Sequence, residues 1–337
     1  MSIFKFQAVV RWWVVGWLCA AAMTGEAAPK VLLGYYNTDY ASGFQSLTNY
    51  GAALNAVSTD TFLVNARGAV TGTAPLAVLA FAQAQKMAVY ACISNEQFDP
   101  KIAHRSLTKS PTTLVTRLVQ LALIHGYTGV NIDFEGLYPA DRNAFSHFIQ
   151  TLSEALHMQH LQLVISVPAE VTDDPKDNWS GAFDYAVLGQ AADFIQVMTY
   201  DETVADSPPG PVAGLDWMTN CIAYAVTKIP PAKVLLGLPA YGRDWNVKSK
   251  QAVDFFWTDI PSLLATHHTT LSWDLVSASG FFNYTANRTQ HQVWCETQAG
   301  LQLKCALVKQ FNLGGVSFWA LGMEDAAFRQ AVSAGME

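Results

Sequence analysis

The 337-residue chain carries a formal net charge of −7, with 51% hydrophobic and only 14% charged residues. An acidic chain poor in Lys and Arg argues against nucleic acid as a partner, since nucleic acid demands a basic face. The apolar fraction is ample for the core of one large domain, and no charge block or low-complexity tract marks a disordered tail.

Residues 1–27 have the three-part layout of a secretory signal peptide: Lys5 and Arg11, an apolar run from Trp12 to Met23, then Gly25-Glu26-Ala27. The run is too short for a span of roughly 20 residues. Cleavage near Ala27 or Ala28 is therefore expected, leaving a secreted or periplasmic protein with no membrane contact. Beyond it, short apolar runs recur at 31–36, 61–64, 87–93, 128–134, 161–168, 193–200, 233–239 and 314–320. Helical patterns lie between and after them at 44–56, 74–86, 111–125, 140–158, 183–191, 215–229, 300–312 and 324–335. Strict eightfold alternation predicts an α/β fold, a (β/α)8 TIM barrel over residues 28–337. A doubly wound sheet is the alternative, but it usually carries a glycine-rich phosphate turn after strand one, and Gly34-Tyr35-Tyr36-Asn37 is not one. A two-lobed binding protein does not fit a single unbroken alternation.

The long gap between strands seven and eight predicts a small α+β insertion over about 245–299, rich in aromatic rings. Within it Phe281-Phe282-Asn283-Tyr284 and His291-Gln292-Val293-Trp294 read as a hairpin. Most of these rings should form the insertion's own core, with one or two left to wall a cleft. Past the signal segment there are four cysteines: Cys92, Cys221, Cys295 and Cys305. They could pair in three ways, or stay as buried thiols, and Cys295 with Cys305 is the local option. Their spacing matches no zinc motif, and no metal or other cofactor is expected.

The fourth strand carries the chemistry. Residues alternate across a strand, so Asn131, Asp133 and Glu135 share one face while Val130, Ile132 and Phe134 share the other. Neighbouring carboxyls on that row are about 6 to 7 Å apart at Cα, near enough for each to alter the other's proton affinity. No Lys or Arg lies between Arg117 and Arg142 to pair with them. Barrel active sites lie at the carboxyl ends of the strands, which also nominates Met198, Tyr200 and Asp201 after strand six, Tyr241 after strand seven and Trp319 after strand eight. Gln196 shares the inward row with Met198, and Tyr35 on strand one joins the substrate-binding set.

Thr128-Gly129-Val130-Asn131-Ile132-Asp133-Phe134-Glu135 resembles the Asp-x-x-Asp-x-Asp-x-Glu signature of glycoside hydrolase family 18, with two of its four acids replaced. The resemblance extends to Met198-Thr199-Tyr200-Asp201, Gly237-Leu238-Pro239-Ala240-Tyr241-Gly242 and Gly314-Gly315-Val316-Ser317-Phe318-Trp319. Within the family the chain is most similar to the bacterial spore-germination and cortex-lytic glucosaminidase branch, through Ile229-Pro230-Pro231-Ala232-Lys233 and Gly210-Pro211-Val212. That branch often carries wall-binding repeats before the barrel, and none is expected in the few residues between cleavage site and strand one.

The resemblance implies a secreted retaining glycosidase acting at N-acetylglucosamine residues of peptidoglycan or chitin-type glycans. The substrate's own acetamide would be the nucleophile. Glu135 would be acid and then base, Asp133 would accept the acetamide N–H, and Tyr200 would donate to the acetamide oxygen. Asn131, Gln196, Met198, Asp201, Tyr241, Trp319 and Tyr35 would bind substrate, in a monomer. Asn131 is expected to donate its NH2 to Asp133 and keep that carboxylate ionised, and Thr128, on the outward row, to serve packing. The competing reading is a non-catalytic sugar-binding relative.

Overall fold

Val/Ile/Leu-rich runs buried on both faces form the parallel strands of the computed structural model, which describes residues 29–337. The expected signal peptide falls outside the described residues. The strands are β1 Val31–Asn37, β2 Ala56–Val64, β3 Ala88–Asn95, β4 Gly129–Asp133, β5 Gln162–Pro168, β6 Phe194–Met198, β7 Val234–Pro239 and β8 Gly315–Trp319. Each pairs in parallel with the next, and β1 pairs with both β2 and β8, through Leu33 with Ala56 and Val31 with Gly315. The sheet thus closes into the expected eight-stranded barrel, with helices between its strands.

The outward row of β4 is apolar, as its alternation requires: Val130, Ile132 and Phe134 are fully buried. Phe134 stacks on Phe148 and Phe145 of the helix Arg142–His157, with ring centroids 6.2 and 6.5 Å apart. Burying each such side chain contributes roughly 1.5 to 3 kcal/mol. The preceding helix, Pro111–His125, stops at Gly126, whose φ of 70° is the left-handed conformation that closes a helix without steric penalty. Thr128 ties the start of β4 to β3, its Oγ1 accepting from Val89 N at 2.9 Å.

Two differences from the sequence reading have clear causes. β2 begins at Ala56 rather than 61, because Ser58 and Asp60 face a polar barrel interior and break the apolar pattern. A helix at Pro100–Lys109, absent from the expected set, is capped by Asp99, which accepts from Lys101 N at 2.8 Å. It is polar on average and hides a one-sided stripe, in which Ile102, Ala103, Ser106 and Leu107 are buried.

A five-stranded antiparallel sheet starts at Tyr241, one residue after β7. Its strand order is Gln251–Phe256, Tyr241–Asn246, Thr289–Cys295, Ser279–Ala286, Ser272–Asp274, and the helix Ile260–Thr266 belongs to the same insertion. The expected hairpin is present, with Phe281 opposite Trp294 and their rings stacked at 5.0 Å. At its far end Lys304 of the helix Gln298–Gln310 donates to both oxygens of Glu296 at 2.6 Å and to Ser279 Oγ at 3.1 Å. Cys92, Cys221, Cys295 and Cys305 are free buried thiols. Cys295 packs against Gly242 and Cys305 against Gly335, so the local pair faces different neighbours.

Candidate active site

Asp133 and Glu135 meet at the carboxyl ends of the strands in a cavity of about 620 Å³. Tyr35, Gln196, Met198, Tyr200, Asp201, Tyr241 and Trp319 line the same cavity, so nine of the ten residues nominated from sequence are brought together. Glu135 lies just beyond the end of β4, where ladder bonds have stopped. Asn95 at the end of β3 takes their place: its Nδ2 donates to Glu135 O at 3.0 Å and its Oδ1 accepts from Glu135 N at 2.9 Å. The following residue, Gly136, has φ of 65°, and a Cβ there would lie 2.7 Å from Phe98 O. Only glycine lets the chain leave the acid in that direction.

Asn131 is the exception. It is fully buried beneath the cavity, and its Nδ2 donates to Tyr35 Oη at 2.7 Å and Ser58 Oγ at 2.9 Å. The expected bond to Asp133 is not made, because both amide hydrogens are spent on neighbours in its own layer. Nor does Asn131 line the cavity. Its effect on substrate passes through Tyr35, whose hydroxyl is 3.0 Å from Ser166 Oγ and 3.4 Å from Gln196 Oε1. Gln196 Nε2 in turn donates to Tyr200 Oη at 3.1 Å, which leaves the Tyr200 proton free for a ligand.

Among the described residues, no cation forms an ion pair with Asp133 or Glu135. Burial is the first cause of a raised Glu135 pKa, followed by the charges of Asp133, Asp201 and Asp60. Asp133 is raised as well, by burial first and Asp60 second, with the Ser166 hydroxyl opposing. Burial and Asp60 thus work against the ionised form of Asp133 that the sequence led us to expect. The two share protons as a pair. Tyr200 is pushed well up by burial, so it remains a neutral donor.

Arg243 was not found from sequence. It is 5% exposed, and its guanidinium joins Asp201 at 2.9 Å and Asp254 at 2.5 Å and donates to Thr203 O. Asp201 also accepts from Tyr241 Oη at 2.7 Å. The signal was available, since Arg243 stands two residues beyond Tyr241 on the same strand face. Trp179, half exposed, and Trp217 come from loops and helices whose approach to the cavity no local pattern announces. Trp319 lies in the cavity wall beside Tyr35 and Tyr40, centroids 5.7 and 6.3 Å away.

Glycosyl hydrolases family 18 matches residues 44–324. The chain is a family 18 glycosidase. It is 39% identical to the uncharacterized glycosylase YvbX of Bacillus subtilis (strain 168), over 92% of this chain and 93% of that protein. The crystal structure of a chitinase from Chromobacterium violaceum ATCC 12472 superposes with a TM-score of 0.87 at 40% identity, covering 91% of this chain and 99% of that one. The cortical fragment-lytic enzyme of Bacillus subtilis (strain 168) is 27% identical over 70% of this chain and 57% of its own length. The resemblance to the cortex-lytic branch is thus shared with a chitinase of closer sequence. As a family 18 glycosidase the chain keeps the last two acids of the signature in the cavity and places its two substitutions, Asn131 and Thr128, outside it.

Proposed function

We infer that the protein is a retaining hydrolase of β-1,4 bonds at N-acetylglucosamine residues, exported and acting on chitin-type or peptidoglycan chains by substrate assistance. The observation that carries this reading is the convergence of Asp133, Glu135 and the free proton of Tyr200 on one cavity beside the Trp319 ring. Glu135, protonated in its buried site, gives its proton to the leaving glycosidic oxygen. The carbonyl oxygen of the 2-acetamido group bonds to the anomeric carbon as that bond breaks, forming an oxazolinium ion. Asp133 accepts the acetamide N–H and offsets the positive charge, and Tyr200 donates to the acetamide oxygen. Glu135, now a carboxylate, takes a proton from the water that opens the ring, so the anomeric configuration is retained.

The chitinase of Chromobacterium violaceum, at 40% identity over nearly its whole chain, favours chitin-type oligomers as the first substrates to test. Mass spectrometry of products from defined chitooligosaccharides and from purified peptidoglycan distinguishes the two glycans, and end-labelled oligomers distinguish internal from terminal cleavage. A thiazoline that mimics the oxazolinium ion should inhibit. An active enzyme indifferent to it would refute substrate assistance.

A further inference from the structure

Ser58 Oγ accepts from Asn131 Nδ2 at 2.9 Å, which sets β2 and β4 at one height in the barrel interior. Two residues further along, about 6 to 7 Å nearer the mouth, the inward positions are Asp60 and Asp133. β1 repeats the step. Tyr35, bonded to Asn131, is followed two residues on by Asn37, whose Nδ2 donates to Asp60 Oδ2 at 2.8 Å. Cys92 of β3 stands between, register partner of Asp60 on one side and Asn131 on the other. Immediately after Asp60 the register of β2 with β3 slips, a bulge of the kind that re-aims a side chain beside an active site.

Asp60 does not line the cavity. The titratable groups around it are Asp39 and Tyr40 from the turn after β1, Cys92 from β3, Asp133 at the end of β4 and Glu135 just beyond it. None is cationic, and no Lys, Arg or His among the described residues forms an ion pair with it. Burial lifts its carboxyl to about 6 against the bond from Asn37, so near neutral pH it carries its charge. Asn131 cannot contribute a charge to the pair. Asp60 can, from the neighbouring strands.

We propose that Asp60 is a third carboxylate of the active site, a positioning residue whose negative charge makes the Asp133 and Glu135 pair retain its proton. The proposal rests on Glu135 as acid and base. Its test is the pH profile of kcat/KM for Asp60→Asn, which keeps the size and the contact to Asn37. Removing a like charge favours ionisation of the pair, so the profile moves toward acid, by about one pH unit, which is about tenfold in activity at a fixed pH on the basic limb. Activity at the new optimum stays within a few fold of wild type. Asn37→Leu, which withdraws the hydrogen bond that favours the charged form of Asp60, moves the limb the same way by less, and carries the test if Asp60→Asn does not fold. An unmoved limb in the folded variants overturns the proposal, as does a uniform loss at every pH, the signature of a merely structural residue. Carboxyl-carbon NMR titration of Asp133 with and without Asp60→Asn reads the same coupling without turnover. An Asp133 titration that moves while Glu135→Gln keeps its activity would place the failure in the acid assignment, and an unmoved one would place it in the coupling to Asp60.

Discussion

Two sets of buried acids occupy this molecule, and they are treated in opposite ways. Glu296 and Glu324, neither of which lines the cavity, are each clasped by a buried cation: Lys304 on the first, Arg329 on the second. Arg329 also holds Ser46 Oγ at 3.0 Å and Tyr50 O at 2.8 Å, and Glu324 Oε2 takes Gly322 N at 2.8 Å, so nearly every polar atom is used. Asp133, Glu135 and Asp60 are buried or partly buried, and among the described residues none forms an ion pair with a cation. Burial costs the charged form in both places. Where a cation repays it, the acid is a fastener; where none does, the acid holds or passes a proton.

The comparison breaks most visibly at Glu135. Glu135→Gln should keep the fold and lose 10² to 10⁴ of kcat, roughly the worth of general acid catalysis, in single-turnover assays on a chitooligosaccharide. Retention of even a tenth of the rate would sink the assignment. At the other pole, Arg329→Met leaves Glu324 buried without its cation, held only by Ser46 Oγ and Gly322 N. Unfolding in urea should show a loss of about 3 to 5 kcal/mol, with kcat of the folded fraction unchanged.

Two finer tests sharpen the contrast. Asn131→Asp adds a negative charge one layer beneath the pair, so the profile should move toward alkaline pH with substantial activity kept, opposite in sign to the loss of Asp60. Glu170 is a third kind of acid: buried, with neither oxygen bonded, and raised to about 8 by burial first and Asp173 second, although Arg142 pulls the other way. Its folded pKa exceeds its ordinary 4.5, so the protonated form stabilises the fold at low pH and that contribution is lost as pH rises through about 8. The melting-temperature advantage of Glu170→Gln over wild type should therefore grow between pH 5 and 8. A constant difference would show that Glu170 finds a partner.

What sequence could reveal follows from the physics of each element. The eight strands announced themselves because a parallel sheet under helices is apolar on its outer row, as Val130, Ile132 and Phe134 are. β2 was half hidden because Ser58 and Asp60 serve the polar lumen, and the same fact concealed Asp60 as part of the site. Strand-end residues such as Tyr200, Tyr241 and Trp319 were legible once the barrel was. Asn131 was placed on the right row but with the wrong partner, since period-two alternation gives direction and not height. Which of Ser58, Tyr35 or Asp133 an amide reaches depends on barrel stagger, which no single strand encodes.

The insertion is fastened to the barrel where its chain enters and where it leaves. Its first strand follows β7 after Ala240 alone, whose N donates to Trp319 O at 2.7 Å and whose O accepts from Trp257 N at 2.9 Å. Its last strand is riveted to the helix Gln298–Gln310 through Glu296, Ser279 and Lys304. The wall is thus tied to the barrel at both of its chain ends, although its sheet edges, Gln251–Phe256 and Ser272–Asp274, lie elsewhere. Arg243, Asp254 and Phe256, on its first two strands, line the cavity from that anchored sheet.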